Sequence, residues 1–389
     1  MTATLQSRSG TAADAVGGVL PAAVVRPVTV PDVVAVLRGG GTVVPAGGRT
    51  KLSWAAPPSS CDVLLDTTGL DRVLDHTAGD LVVIAEAGVR LADLQAQLAG
   101  SGQWLALDPP EPGATLGGVL SANASGPRRL RYGTARDLLI GVTVVLADGT
   151  VAASGGKVVK NVAGYDLGKL YTGAHGTLGV VVSTTWRLHP LPAARRVVVV
   201  DLADTAAAGP LALRLARSTL TPTAVELLAG SGEPARLVVV FESIPESVRA
   251  QARSAVELLD GGAEQDELPE GFGRRPGGAD DLVLRLAFAP AALPAVLAAL
   301  PAGAAVTASA CTGVAYAALP AGSGAAALPG LRAAIAPYDG TAAVLAAPAD
   351  LADLDQWGPV GDALPLMTQV KDRFDPARRM SPGRFVGGL

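Results

Sequence analysis

Hydrophobic positions in the first part of the chain form short runs that alternate with segments of helical periodicity. This alternation is typical of an α/β unit, in which strands are buried and helices cover them. Strands are predicted at 42–44, 63–66, 81–85, 142–146, 151–153 and 180–188, and helices at 31–38, 91–98 and 165–171. Residues 1–20 show neither pattern, and we expect them to form a flexible tail.

The second half of the chain shows one pattern twice, with an offset of roughly 80 residues. Each copy consists of a strand, a helix, two strands and a helix. The first copy covers 197–259 and the second 282–336, and a stretch rich in Gly, Glu and Pro separates them. This order favours an antiparallel sheet with helices on one face, as in a ferredoxin-like domain.

The predicted fold class is therefore α+β. We expect a first domain over 21–192, with subdomains at about 21–72 and 73–192, and a cap domain over 193–347. Residues 348–389 contain a predicted helix at 364–374 and a turn-rich end, and we expect them to return to the first domain.

Composition and charge narrow the class of protein. Of the 389 residues, 49% are hydrophobic and 17% are charged, which indicates a folded chain rather than a disordered one. A net charge of −4 argues against a nucleic-acid partner. The two cysteines form neither a disulfide framework nor a zinc site, which favours the cytoplasm. We expect no signal peptide, and no apolar run of about 18 residues predicts a membrane span.

Three glycine-bearing segments carry the candidate chemistry. The first follows the strand at 42–44, and its glycines let backbone N–H groups approach an anion closely. The Thr50 hydroxyl and the charges of Arg49 and Lys51 suit such a phosphate site, but an ordinary glycine turn also explains the segment. The candidate binding residues are Pro45, Ala46, Gly47, Gly48, Arg49, Thr50, Lys51 and Leu52.

The second segment lies within 105–135, which is too long for a simple connection inside a compact domain. Long ordered loops commonly bind a ligand, and a structured Ω-loop is the alternative. The candidate binding residues are Pro109, Pro110, Thr115, Leu116, Gly117, Gly118, Ser121, Asn123, Ser125, Gly126, Tyr132, Gly133 and Asp137. The third segment, residues 176–181, has two glycines, Gly176 and Gly179, at the entry to an apolar strand. A flat ligand could lie against Gly179, Val180 and Val181; tight packing between strands is the alternative.

Together, in this order, the segments resemble the FAD-binding domain of the vanillyl-alcohol oxidase and p-cresol methylhydroxylase superfamily. The family's first loop reads approximately P-x-G-G-G-T-x-L-S, and residues 45–53 match it with Arg49 in place of a glycine. The resemblance covers about 170 residues. It implies a PCMH-type fold in which the three segments wrap the pyrophosphate, ribityl chain and isoalloxazine of FAD. Neither loop 45–53 nor loop 109–133 contains a histidine or cysteine, so we expect no covalent link.

Three further motifs resemble the FAD-binding accessory subunits of bacterial glycolate oxidases: residues 126–129, 160–167 and 375–385. This resemblance implies a complex with a catalytic flavin subunit and an iron–sulfur subunit, acting on a small 2-hydroxy acid. It also implies a cytoplasmic location, peripheral to the membrane through the complex. Catalytic relatives have a metal site near the part that corresponds to 308–318, which contains no histidine here, so no metal is predicted.

Oxidation of a 2-hydroxy acid needs a flavin, a cation for the carboxylate and a base for the hydroxyl proton. His175 is the candidate base because it directly precedes the third segment, and a loop histidine without a catalytic role is the more common outcome for such a residue. Arg285 is the candidate cation because it interrupts an apolar strand, although it could face water. Three hypotheses follow: a flavin subunit of such a complex, a stand-alone dehydrogenase, and a structural subunit in which Arg49 prevents FAD binding.

Overall fold

The computed structural model describes residues 5–157, 165–230, 234–348, 351 and 354–389. The chain divides into two compact units: residues 1–124, 134–191 and 359–389 form the first, and residues 125–133 and 192–358 form the second. The predicted domain boundaries differ from these units in two stretches and at Pro192. Residues 125–133, 192 and 348–358 belong to the second unit. The sequences of the two stretches have no hydrophobic period, so periodicity could not assign them to a domain.

The first unit contains a four-stranded sheet. Its strands are β1 (Gln6–Ser9), β2 (Ala23–Arg26), β3 (Val43–Ala46) and β4 (Val63–Asp66), in the order β1-β2-β4-β3. β2, β4 and β3 are parallel, whereas β1 is antiparallel to β2. Helix α1 (Val30–Arg38) begins at a capping box of Thr29 and Asp32 and buries Val33 and Leu37 in the core next to this sheet.

The prediction of a flexible tail at 1–20 is wrong for residues 5–20, which the structure describes. β1 pairs with β2 through four residues, and the carboxylate of Asp14 is buried. Asp14 accepts hydrogen bonds from both terminal nitrogens of the Arg8 guanidinium at 2.7 Å. A short exposed strand has no periodic hydrophobic signal, so only the tertiary partners of this segment reveal its order.

A second, antiparallel sheet in this unit has the order β5-β6-β10-β8-β9. Its strands are β5 (Val73–Thr77), β6 (Val82–Glu86), β8 (Leu139–Val145), β9 (Val151–Gly155) and β10 (Val180–Arg187). A small separate pair consists of β7 (Gln103–Trp104) and β11 (His189–Pro190). The short helices are α2 (Leu91–Ala99), α3 (Leu116–Ser121), α5 (Ala135–Leu138) and α6 (Gly168–Tyr171).

The long polar stretch 105–135 is more helical than predicted. It contains α3, the start of α5 and, in the part that belongs to the second unit, α4 (Arg129–Tyr132). Helix α3 begins at Thr115, whose hydroxyl accepts a hydrogen bond from the Gly118 N–H. Short helices with adjacent glycines give no 3.6-residue pattern, which is why the sequence showed only a loop.

The second unit is built on one eight-stranded antiparallel sheet, in the order β15-β12-β14-β13-β17-β18-β16-β19. The strands are β12 (Ala194–Leu202), β13 (Ala224–Ala229), β14 (Ala235–Ser243), β15 (Ala263–Gln265), β16 (Asp281–Ala287), β17 (Ala305–Ser309), β18 (Val314–Pro320) and β19 (Thr341–Ala346). The helices are α7 (Ala208–Arg217), α8 (Pro245–Leu258), α9 (Leu293–Ala299) and α10 (Ala321–Ile335).

All four of these helices pack against the same face of the sheet. Their buried residues share one core cluster with alternate strand residues such as Val225, Leu227, Leu284 and Leu286. This arrangement confirms the predicted antiparallel sheet with helices on one face. The sequence did not predict the edge strands β15 and β19.

The C-terminal segment belongs to the first unit, where helix α11 (Leu364–Phe374) is followed by turns. Met380 forms an isolated parallel β-bridge with Val43 of β3, so the C-terminal segment pairs with the edge of the first sheet at this one position. The N–H of Val43 donates to Arg379 O and the N–H of Ser381 donates to Val43 O, at 2.9 and 2.8 Å. Within the described residues, no helix has both the length and the apolar character needed to cross a membrane.

Candidate functional site

A groove in the first unit brings together parts of all three glycine-bearing segments. The space between these segments, part of which is open to solvent, amounts to about 710 Å³. Gly47, Gly117 and Gly179 line this one groove. The predicted residues that line it are Pro45, Ala46, Gly47, Gly48, Arg49, Thr50, Lys51, Leu52, Thr115, Gly117, Gly118, Ser121, Gly179, Val181 and His175.

The first segment offers backbone donors to the groove. Among the described residues, the N–H groups of Gly47, Gly48, Arg49 and Thr50 have no hydrogen-bond acceptor within the chain. Arg49 has a φ of 57°, in the left-handed region, so the chain turns sharply between these amides. Successive N–H groups in a turn of this kind form an anion-binding nest. The segment is therefore suited to phosphate oxygens.

Close packing against the second segment explains the glycines of this segment. A Cβ atom on Gly47 would lie 2.1 Å from Thr115 Oγ1, and one on Gly48 would lie 1.8 Å from Gly113 O. Any side chain at these two positions would push the first and second segments apart. The two segments can form one wall of the groove only because both positions are glycine.

Arg49 replaces a glycine of the family pattern, and ion pairs hold its side chain. Its guanidinium lies 2.8 Å from Asp14 Oδ1 and 3.8 Å from Asp66 Oδ2. Hydrogen bonds from Arg8, Arg49 and Thr11 hold the pKa of Asp14 well below its usual range. The left-handed conformation costs about 1–2 kcal/mol for a non-glycine residue, and these ion pairs offset part of that cost.

The third segment reaches the groove through a series of positive φ angles. His175, Gly176 and Gly179 have φ values of 50°, 74° and 153°. The His175 N–H donates to Ser121 O at 2.9 Å, which ties this segment to helix α3. The His175 ring lines the groove and lies 6.1 Å from the Phe385 ring, centroid to centroid. Val180 is fully buried beneath the groove surface.

Three groove residues were not predicted from the sequence as site residues: Thr67, Ala122 and Arg384. Gly176, the first residue of the third segment, lines the groove as well. Thr67 Oγ1 donates to Ala46 O at 3.2 Å and supports the end of β3. Arg384 is 2% exposed, and one of its terminal nitrogens donates to Leu52 O at 2.7 Å. Burial lowers the pKa of Arg384 to about 10, so the guanidinium is still a cation at neutral pH. The signal for Arg384 was present in the P-G-R-F ending, but that motif alone gave it no role.

Other predicted binding residues lie outside the groove lining: Pro109, Pro110, Leu116, Asn123, Asp137 and Val180. Asp137 caps helix α5, because its carboxylate accepts hydrogen bonds from the Thr134 N–H at 2.7 Å and the Thr134 hydroxyl at 2.9 Å. A further four belong to the second unit: Ser125, Gly126, Tyr132 and Gly133. Residues 158–164, which include most of the motif at 160–167, lie outside the described residues.

A buried ion pair fixes the C-terminal segment beneath the groove. Lys371 Nζ donates to Asp375 Oδ2 and Thr177 O, both at 2.7 Å, and to Met380 O at 2.9 Å. The Lys371 and Asp375 side chains are 2% and 0% exposed. Desolvation lowers the pKa of Lys371, although the hydrogen bond that it donates to Asp375 opposes this shift. The lysine therefore joins helix α11, the C-terminal turns and the third segment.

Residues 21–155 match the model of the FAD binding domain family. This domain binds FAD. The groove fits that cofactor for two reasons. The backbone N–H groups of residues 47–50 and the buried Arg384 guanidinium suit a pyrophosphate, and the close packing of the glycines leaves the groove open for it.

The chain is homologous to FAD-dependent oxidoreductases. It is 31% identical over 201 residues to glycolate oxidase subunit GlcD of Bacillus subtilis, covering 51% of this chain and 42% of that protein. It is 32% identical over 271 residues to a D-lactate dehydrogenase of Archaeoglobus fulgidus, covering 63% and 60%. A D-2-hydroxyglutarate dehydrogenase of Stutzerimonas stutzeri is 33% identical over 189 residues, covering 47% and 41%. The chain thus spans only part of the length of these relatives.

Solved structures confirm the fold over most of the chain. Chitooligosaccharide oxidase superposes with a TM-score of 0.68 at 15% identity, covering 96% of this chain and 95% of that one. An alkyldihydroxyacetonephosphate synthase superposes with a TM-score of 0.69 at 16% identity, covering 94% and 76%. At these identities the likeness concerns the fold alone.

Proposed function

We propose that this chain is one flavin subunit of a glycolate-oxidase-like complex that oxidises a small 2-hydroxy acid such as glycolate or D-lactate. The supporting observation is the single groove lined by residues of all three segments, two of which lie in the matched FAD domain. The proposal adds a catalytic flavin subunit and an iron–sulfur subunit as partners. It places the complex in the cytoplasm, peripheral to the membrane through those partners.

The chain's own residues perform the binding part of this function. Bound FAD supplies a hydride acceptor that passes electrons on singly or in pairs. The amides of residues 47–50 hold the phosphates, and the glycines of the second and third segments let the chain follow the cofactor closely. Residues 308–318 contain no histidine, so the proposal assigns the metal-assisted chemistry of catalytic relatives to the sister flavin subunit.

The first test concerns the link to FAD. We expect acid precipitation of the purified yellow protein to leave the flavin colour in the supernatant, because no bond to the protein holds it. Absorbance at the flavin maximum in supernatant and pellet measures this. A yellow pellet would contradict the non-covalent proposal, and a His175→Ala variant would then show whether this groove histidine is the attachment site.

The second test concerns turnover. Under the subunit proposal, anaerobic glycolate should leave the oxidised flavin spectrum of the isolated chain unchanged. The same addition should bleach the flavins of the complex reconstituted with its catalytic and iron–sulfur partners. Failure of the chain to copurify with those partners, together with bleaching of the isolated chain, would overturn the subunit role but leave FAD binding intact.

A stand-alone 2-hydroxy-acid dehydrogenase is the second candidate, and Arg285 is the observation that favours it. Among the described residues, the half-buried Arg285 guanidinium has no hydrogen-bond or ion-pair partner. It stands opposite Tyr316 in β18, which stands opposite Thr307 in β17. The buried hydroxyls of Thr307 and Ser309 have no partner among the described residues either. A cation and two hydroxyls on the helix-free face of this sheet could hold a hydroxy acid.

The Arg285→Gln variant tests this candidate. If the isolated chain oxidises D-lactate with a dye acceptor, we expect this change to raise KM at least about tenfold, because a charge-assisted hydrogen bond contributes about 1.5–3 kcal/mol. The matched control is Arg236→Gln, an arginine in β14 of the same sheet that stands opposite Asp201. Equal KM values for both variants would show that Arg285 does not hold the acid.

The third hypothesis, a structural subunit without FAD, has lost its main support. It depended on the Arg49 side chain crowding the phosphates, whereas the structure pairs this guanidinium with Asp14 and Asp66. The match to the FAD binding domain family also contradicts it.

A further inference from the structure

The C-terminal segment lies outside the FAD-domain match, as does the third glycine segment. The match ends at residue 155, whereas residues 375–389 lie more than 200 positions later. Nevertheless Arg384 lines the same groove as the first segment. The lining of the groove therefore combines residues of 21–155 with residues from outside the match, one of them in the C-terminal segment.

Hydrogen bonds hold both the backbone and the guanidinium of Arg384 in place. Its backbone N–H donates to Ser381 O at 3.2 Å, and Arg384 O accepts from the Ala56 N–H at 3.1 Å. At the other end, a terminal nitrogen donates to Leu52 O at 2.7 Å. Leu52 closes the loop whose amides at 47–50 have no acceptor within the described chain. The guanidinium is thus held against the loop that offers donors to an anion.

Arg384 presents a buried cation to the groove. At 2% exposure the guanidinium is largely shielded from water, and burial lowers its pKa to about 10, so it still carries its charge at neutral pH. Hydrogen bonds between a guanidinium and a phosphate are charge-assisted and stronger than those between neutral groups. Together with the neighbouring backbone amides of residues 47–50, this cation suits a phosphate group.

The Lys371 ion pair holds the segment in this position. Its three acceptors belong to the third segment, the residue that follows helix α11 and the turn before Ser381. Asp375 also accepts from the N–H groups of Arg379 and Met380, at 3.0 and 2.7 Å. The chain from Asp375 to Arg384 is therefore held by buried contacts before any ligand binds.

We propose that Arg384 binds the pyrophosphate of FAD directly, together with the amides of residues 47–50, and that Lys371 positions the segment that carries it. This assignment rests on FAD binding by the chain. It makes the C-terminal segment part of the cofactor site, so that the complete site forms only once the last residues of the chain have folded onto the first unit.

Ligand titrations of the apoprotein test the assignment. We expect Arg384→Met to weaken binding of both FAD and ADP at least about tenfold, since each contains the pyrophosphate, as measured by calorimetry. Riboflavin, which has no phosphate, should bind the variant and the unchanged protein with similar affinity. Arg384→Lys should recover part of the loss, because it restores the charge but not the fork of donors.

The matched control is Arg379→Met in the same segment. Arg379 donates to Leu37 O, Gly41 O and Ala147 O and does not line the groove. We expect it to lower the urea midpoint of the apoprotein without changing the FAD affinity of the folded fraction. Equal losses of FAD affinity in the two variants would overturn the direct contact and leave only a folding role.

Two other results have distinct meanings. A loss confined to riboflavin and FAD, with ADP binding unchanged, would place Arg384 at the isoalloxazine and overturn the pyrophosphate assignment. Absence of FAD binding by the unchanged apoprotein would instead contradict the cofactor assignment itself. The Arg384 proposal and the flavin function can therefore fail separately.

Discussion

Replacing Lys371 with methionine is expected to lower the free energy of unfolding by about 3–5 kcal/mol. Methionine fills a similar volume but leaves the buried Asp375 carboxylate without its cation, and it removes donors from Thr177 O and Met380 O. Since the two side chains are 2% and 0% exposed, water cannot replace the lost contacts. Urea unfolding of the apoprotein, followed by tryptophan fluorescence, measures the change.

Lys169 provides the matched control for this prediction. It also pairs with an aspartate on its own chain segment, Asp166, at 2.9 Å, but both side chains are about half exposed, at 47% and 55%. We expect Lys169→Met to change the free energy of unfolding by less than about 0.5 kcal/mol, because exposed pairs contribute little. Similar effects of the two substitutions would show that the buried Lys371–Asp375 ion pair contributes no more than an exposed one. They would also contradict the positioning role assigned to Lys371.

Replacing Gly48 with alanine is expected to weaken FAD binding at least about 100-fold, equivalent to about 2.7 kcal/mol. The new Cβ would lie 1.8 Å from Gly113 O, a backbone atom that cannot rotate away. The first and second segments must then separate, which moves the amides of residues 47–50 and widens the groove. Overpacking of this kind also destabilises the protein by about 1–3 kcal/mol. FAD titration of the apoprotein and urea unfolding measure the two effects.

The control for Gly48 is Gly79→Ala in the short turn 78–80 of the first unit. A Cβ there meets no atom within 4 Å, and its φ is not in the positive region. We expect FAD affinity to be unchanged and stability to change by less than about 1 kcal/mol. If Gly48→Ala binds FAD as tightly as this control, the tight contact between the two segments does not shape the cofactor site.

Much of the candidate site was predictable because its residues are constrained by their own backbone. Glycines at 47, 48, 117 and 179 occur where the chain comes close to another chain segment or adopts a positive φ. Because glycine is the residue that such positions favour, they can be recognised in the sequence. Strand and helix positions in the second unit were predictable for a similar reason. Alternating burial along strands such as β16 imposes a two-residue period.

Residues whose role depends on a distant partner were harder to predict. The carboxylate of Asp137 looked like a ligand, but it caps its own short helix. Asp14 looked like part of a loose tail, but it is buried against Arg8 and Arg49. In each case the residue type was known while the partner was not, and an ionic side chain has no periodic signal that would reveal its partner.

The sequence by itself determined that this chain carries a flavin-type fold with an antiparallel second domain, because glycine spacing and hydrophobic period are local properties. Only the tertiary structure decided which residues meet. It placed Arg384 and the Lys371–Asp375 ion pair in the same unit as the first glycine loop, more than 300 positions away in the sequence. It also assigned residues 125–133 to the second unit. Contacts between distant parts of a chain depend on how its elements pack together, and no single segment records that packing.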